Sequence, residues 1–190
     1  MQKKTALLVP AALLLLLTFT STGHSCVGRI LNLTVNESPE QQLVAHIMAT
    51  YITERTGTTV NIVNSSEKAG PQCPTDICIN YVNTGLSGMS SEQGSDEQEN
   101  YSLVKEYYID ENMVWLKPFG YKGPVKQEDA SLAVPVANRE SLAKFPVLDR
   151  VINKLGNLID DSSLEQLLQQ TESGDAESVA KDFLKTKNLI

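Results

Sequence analysis

Histidine is almost absent from this chain: His24 and His46 are the only two in 190 residues. Cysteine is little better represented, with three. That leaves too few ligands for a metal site built from cysteine, histidine and carboxylates. The usual nucleophile motifs are missing too. There is no GxSxG elbow, no glycine-rich phosphate loop, no HExxH pair and no cysteine–histidine couple. The adjacent acids Asp110–Glu111 and Asp160–Asp161 stand near helix ends, where capping is their commoner work. The chain therefore reads as a non-enzyme that needs no cofactor or metal. Positive charge is also short, with 16 Lys and Arg against 23 Asp and Glu and a net charge of -7. An acidic body argues against nucleic acid and against an anionic membrane surface as partners. Solubility is the simplest account of that charge.

Only one long apolar run exists, and it lies at the start. Lys3 and Lys4 precede Ala6 to Phe19, and Ser21 to Ser25 follow as a small, polar stretch. Residues 1–25 read as a secretory signal peptide, too short in its apolar part to span a bilayer well. Residues 26–190 are then one exported domain of the periplasm or cell envelope. Cys26 follows the signal directly, where bacterial lipoproteins are cleaved and acylated. Gly23 and His24 fit that pattern poorly, so lipid anchoring through Cys26 and simple secretion both stay open. Cys73 and Cys78 are close together in an exported chain, which favours a disulfide over two free thiols. Their CxxxxC spacing is not that of a thioredoxin-like pair.

The body alternates strands and helices. Arg29 to Val35 reads as a strand. Ser38, Pro39 and Gln41 then form a capping box with proline at the first helical position. Leu43, Val44, Ile47, Met48, Tyr51 and Ile52 supply the apolar face, and Gly57 the stop. Thr59 to Val63 is a second strand, so 29–63 reads as a βαβ unit of a parallel sheet. Further strands are expected near 76–82, 113–117 and 131–137, with a helix over 100–109. Residues 85–99 read as a polar linker. After Asn138 come several amphipathic helices, the last capped by Ser173 or Asp175 and burying Val179, Ala180, Phe183 and Leu184.

The order of parts from Pro135 onward carries a resemblance. Pro135, Val136 and Leu142 are followed by Pro146, Leu148, Lys154 and Leu155, then Ile159, Asp161 and Leu164, then Asp175, Glu177, Val179, Ala180, Phe183, Leu184 and Lys185. This spacing resembles the C-terminal segment of the substrate-binding proteins of glycine betaine/choline (osmoprotectant) ABC importers, a type II periplasmic-binding-protein family. Upstream, Glu40, Gln41, Ala49, Tyr51, Thr56 and Gly57 are similar to the family's first helix. Asp76, Ile77, Tyr81 and Thr84 are similar to its DIYPEYTGT motif, and Trp115, Leu116, Pro118, Gly120 and Tyr121 to its WLxPxGF motif.

The resemblance implies a three-layer α/β lobe, with a mostly parallel sheet flanked by helices. It implies a quaternary-ammonium ligand and an ABC permease as partners. The ligand residues it carries over are Gln41, Tyr81, Thr84, Trp115 and Tyr121, at the carboxyl ends of the strands. Gln41 serves equally well as a cap, and Trp115 as core. The departures are as telling. Cys78 stands where the family has its first cage tyrosine, and each lost aromatic face removes about 0.5 to 2 kcal/mol of cation–π attraction. The family's whole second lobe lies between the PxGF turn and the PVV strand, where this chain has only a short connection. Such a chain either works in reduced form, two lobes pairing as a homodimer, or has kept the fold as an envelope interaction module with a degenerate betaine site.

Overall fold

The computed structural model describes residues 29–65, 70–90, 93–125 and 127–190. The expected signal peptide and Cys26 lie outside these residues.

Strand β1 (Ile30–Val35) leads into helix α1 (Pro39–Thr56) and strand β2 (Thr59–Asn64), the expected βαβ unit, with β1 and β2 parallel and paired from Ile30↔Thr59 to Val35↔Asn64. Helix α1 starts where Ser38 caps the Gln41 amide and Pro39 presets the first turn. It stops at Gly57, whose φ of 70° is a left-handed cap that glycine takes without strain. Strand β3 (Ile77–Tyr81) adds to the other side of β1 in parallel.

Two helices follow. Helix α2 (Val82–Ser87) begins directly after β3 and has no side-chain cap. The sequence gives it no signal, and its residues fall partly in the expected linker. It forms because Val82, Gly85 and Leu86 are buried against helix α3 (Glu97–Tyr107). Helix α3 begins three residues earlier than expected, because Asp96 accepts from the Glu99 amide at 2.8 Å.

Strand β4 (Met113–Trp115), strand β5 (Lys122–Gly123) and strand β6 (Ser131–Asn138) complete the sheet. Its order is β2-β1-β3-β6-β4, with β5 paired to β6. β6 runs antiparallel to β3, β4 and β5, so every other strand points one way. The first and last strands therefore belong to one sheet. Where the resemblance places the exit to a second lobe, β5 and β6 form a short antiparallel pair, Lys122↔Leu132 and Gly123↔Ser131.

Four C-terminal helices follow: α4 (Arg139–Lys144), α5 (Leu148–Asn153), α6 (Asp161–Thr171) and α7 (Ala176–Thr186). Asn138, Asp160 and Asp175 cap α4, α6 and α7 through backbone amides. The main core lies between the sheet and α1 with α5, α6 and α7. Leu33, Leu43, Ile47, Met48, Ile52, Ile152 and Leu184 are fully buried there. Each contributes roughly 1.5–3 kcal/mol of transfer free energy. A smaller core on the opposite face joins α2 and α3 to the sheet around Trp115, Tyr108 and Val104. Helices on both faces of one sheet give the expected three layers.

Candidate functional site

The N-terminal turn of α1 is built by three polar residues. Asn36 Oδ1 accepts from the Ser38 amide at 2.9 Å, and Ser38 Oγ accepts from the Gln41 amide at 3.4 Å. The Gln41 side chain returns the bond two residues further back than a standard capping box. Its Oε1 accepts from the Asn36 amide at 2.9 Å, and its Nε2 donates to the Ile79 carbonyl at 3.4 Å. Gln41 is 1% exposed. It thus ties the turn after β1 to the middle of β3.

Tyr81 closes β3, and Tyr121 precedes β5. Both rings are buried in the main core, with Tyr121 stacked on Phe119 at 6.1 Å between centroids. A Cβ at Gly123 would run into the Tyr81 ring, so glycine is what lets β5 close over it. Neither phenol oxygen has a hydrogen-bond partner among the described residues. Burial pushes the Tyr81 hydroxyl up to about 12; the nearby Gln41 amide opposes this, and the Glu40 carboxylate adds to it. Gln41 acts there without forming a hydrogen bond, since its own bonds go to Asn36 and Ile79. Burial also raises the Tyr121 hydroxyl well above the ordinary tyrosine value, with Tyr81 and Glu40 adding to it. Glu40 is buried beside them, its Oε1 accepting from the Val125 amide at 3.4 Å.

Trp115 and Thr84 belong to the other face. The Trp115 ring is fully buried and stacks on Tyr108 at 5.7 Å. Tyr108 donates to the Gly85 carbonyl at 3.0 Å, and Tyr101 to the Leu116 carbonyl at 2.8 Å. Thr84 is half-buried on α2, next to Gly85. The sheet therefore divides the residues carried over by resemblance. Gln41, Tyr81 and Tyr121 share one face with Glu40, while Trp115 and Thr84 lie on the other. The three aromatic rings are packed side chains with no open face turned to solvent.

A cleft does open at the carboxyl ends of β1 and β3, where open α/β sheets place their ligands. It encloses about 360 Å³ and is lined by Thr34, Val35, Asn36, Gln41, Gln72 and Asn80 among others. Its outer wall is the 70–74 loop, tied to β3 by the Cys73–Cys78 disulfide expected from the sequence. Asn80 Nδ2 donates to the Gly70 and Pro71 carbonyls at 3.1 and 3.3 Å, while its Oδ1 has no partner among the described residues. Of the five carried-over residues, only Gln41 touches this cleft. Asn80 was not singled out from the sequence. Its one signal there is that it departs from the DIYPEYTGT pattern.

Residues 102–186 match the family profile described as the substrate binding domain of ABC-type glycine betaine transport system. The match covers the second half of α3, the β4–β6 part of the sheet and the helices after it, including the segment that carries the resemblance most strongly. Among solved structures, a glycine betaine/carnitine/choline ABC transporter superposes with a TM-score of 0.74 at 14% identity, covering 85% of this chain and 98% of that one. Apo YehZ from Escherichia coli superposes with a TM-score of 0.70 at 12% identity, covering 84% and 99%. No curated protein sequence matches. The fold is therefore that of these two structures, and the resemblance read from the sequence is matched by both the profile and the superpositions.

Proposed function

We propose that this chain is an exported solute-binding component of an osmoprotectant-type ABC transport system, with a degenerate quaternary-ammonium site. The observation that carries this reading is the profile match over residues 102–186 on a lobe of the substrate-binding fold. Its partners would be a small solute and an ABC permease. The export signal read in residues 1–25 would deliver it to the periplasm or cell envelope, and acylation of Cys26 would anchor it there. Degeneracy is supported by the buried state of Tyr81, Trp115 and Tyr121 and by Cys78 in a cage position.

A second reading rests on the same burial: a single-lobe envelope interaction module that has kept the fold without the transport role. The two differ in what they do to a transporter. Added to a reconstituted osmoprotectant permease with its ATPase, the full chain should raise ATP hydrolysis if it is a transport component. No stimulation at saturating protein favours the interaction module. Calorimetry with glycine betaine, choline and carnitine tests the degeneracy separately. Weak or absent heats are expected, and micromolar binding would show an intact cage.

A further inference from the structure

We propose that the outer edge of β2 is a self-association surface, on which a second copy of this chain pairs antiparallel and extends the sheet across a two-fold axis. The inference is separate from the solute-binding reading and stands if that reading falls. It begins with where the backbone of β2 points. The Thr59 amide donates to the Arg29 carbonyl at 3.0 Å and the Ser65 amide to the Val35 carbonyl at 2.9 Å, so the odd-numbered residues face β1. Strand alternation then turns the N–H and C=O groups of Val60, Ile62 and Asn64 outward. Among the described residues, β2 pairs with β1 alone. Native sheets commonly guard such an edge with Lys, Pro, a bulge or a very short strand. β2 reads TVNIVN, without charge or proline, and its register with β1 runs unbroken through all six residues. β4, at the other edge, has only three residues.

The strand is its own complement. In an antiparallel pair centred on Ile62, that residue meets Ile62 of the second copy, and Val60 meets Asn64. Each of these pairs exchanges both N–H···O bonds, so every outward group from Val60 to Asn64 is matched. Beside the edge runs an open groove of about 560 Å³ between β2, α1 and α7. Val60 and Ile62 line it half-buried, and their copies would cover them. Glu54, Glu177 and Lys181 line it too, and none of the three has an ion pair among the described residues. A groove with both signs can face itself: Lys181 of one copy meets a glutamate of the other, where a single sign would repel. On the opposite face of β2, Val63 is 39% exposed, and Asn61 of the second copy would lie across it. The pairing consumes the edge on both copies, so assembly closes at a dimer.

Sedimentation velocity of the full chain, from micromolar to near-millimolar concentration, should show a reversible monomer–dimer equilibrium. Over the same range, hydrogen exchange should slow at the Val60, Ile62 and Asn64 amides. Protection equal at every concentration would mean that the chain covers its own edge, and would overturn the proposal. The double change Asn61→Lys with Val63→Lys uses two exposed positions. The register sets position 61 of one copy against position 63 of the other, twice across the axis. Like charges then oppose each other, and association should weaken about tenfold. Asn61→Glu with Val63→Glu should weaken it likewise, and an equal mixture of the two variants should recover it. A monomer at every concentration overturns the proposal. So does a dimer that neither variant weakens, or a mixture no tighter than its separate components. The exchange measurement needs no variant, so the test holds even if one fails to fold.

Discussion

Asn80 and Tyr81 are neighbours on β3, yet they meet different fates. Strand alternation sends one side chain to each face of the sheet. Tyr81 enters the main core beside Tyr121 and Glu40, closed over by the β5 hairpin. Asn80 lies at a cleft that stays open, braced by the disulfide loop. The tyrosine side has aromatic rings but no room, because both rings are buried in the core. The asparagine side has room and polar groups but no aromatic face. A fold can keep the residues of a binding motif while the covering structure turns them into packing.

The largest test of that contrast is Tyr121→Ala. The ring is fully buried, so its removal should cost about 3–5 kcal/mol in urea unfolding. Gln72→Ala, on the exposed rim of the cleft, should stay within about 0.5 kcal/mol. Equal effects at the two positions would erase the distinction between a sealed side and an open one.

Alkaline pH sharpens the same point. Tyr81 has its hydroxyl raised to about 12, and Tyr121 is raised as well. As pH rises through 10, the unfolded tyrosines lose protons that the folded ones keep. The unfolded state then binds fewer protons, and stability falls. For Tyr81 the stabilisation is complete below the unfolded pKa and lost between about pH 10 and pH 12, at about 1.4 kcal/mol per pH unit, and Tyr121 adds a loss of the same sign. Denaturant melts across that window measure the slope. A flat profile would mean the phenols are solvated.

The disulfide comes next. Replacing Cys73 and Cys78 by serine opens a short loop, and the chain-entropy estimate is a loss of about 2 kcal/mol. Reduced protein should match the double mutant in urea titrations. A smaller effect than the disulfide's is expected for Tyr121→Phe. It deletes a buried hydroxyl that has no partner among the described residues, so stability should hold or rise by up to about 1 kcal/mol. A clear loss would reveal a hydrogen bond to that oxygen.

What could be read from the sequence follows from where its signals lie. The start of α1 at Ser38 and Pro39, its end at Gly57, and the caps at Asn138, Asp160 and Asp175 are local chemistry, and all five stand in the fold. The three layers follow from the βαβ unit and the order of the C-terminal helices. Helix α2 and strand β5 escaped notice because neither has a local pattern. The first is six residues held by packing, and the second is two residues held by pairing with β6. The site was least legible. Gln41 was visible as a polar residue at a helix start. The burial of Tyr81 and Tyr121 depends on a hairpin closing over them, and the cleft depends on the 70–74 loop meeting β3. Neither event is written in the spacing of residues along the chain.

The proposal that the tyrosines serve as packing rather than as a cation cage can be met head on. Glycine betaine is titrated by calorimetry into the full chain and into Tyr81→Phe. The expected result is no saturable heat in the micromolar range from either protein. A micromolar isotherm for the unaltered chain, kept in Tyr81→Phe because the aromatic face remains, would contradict it.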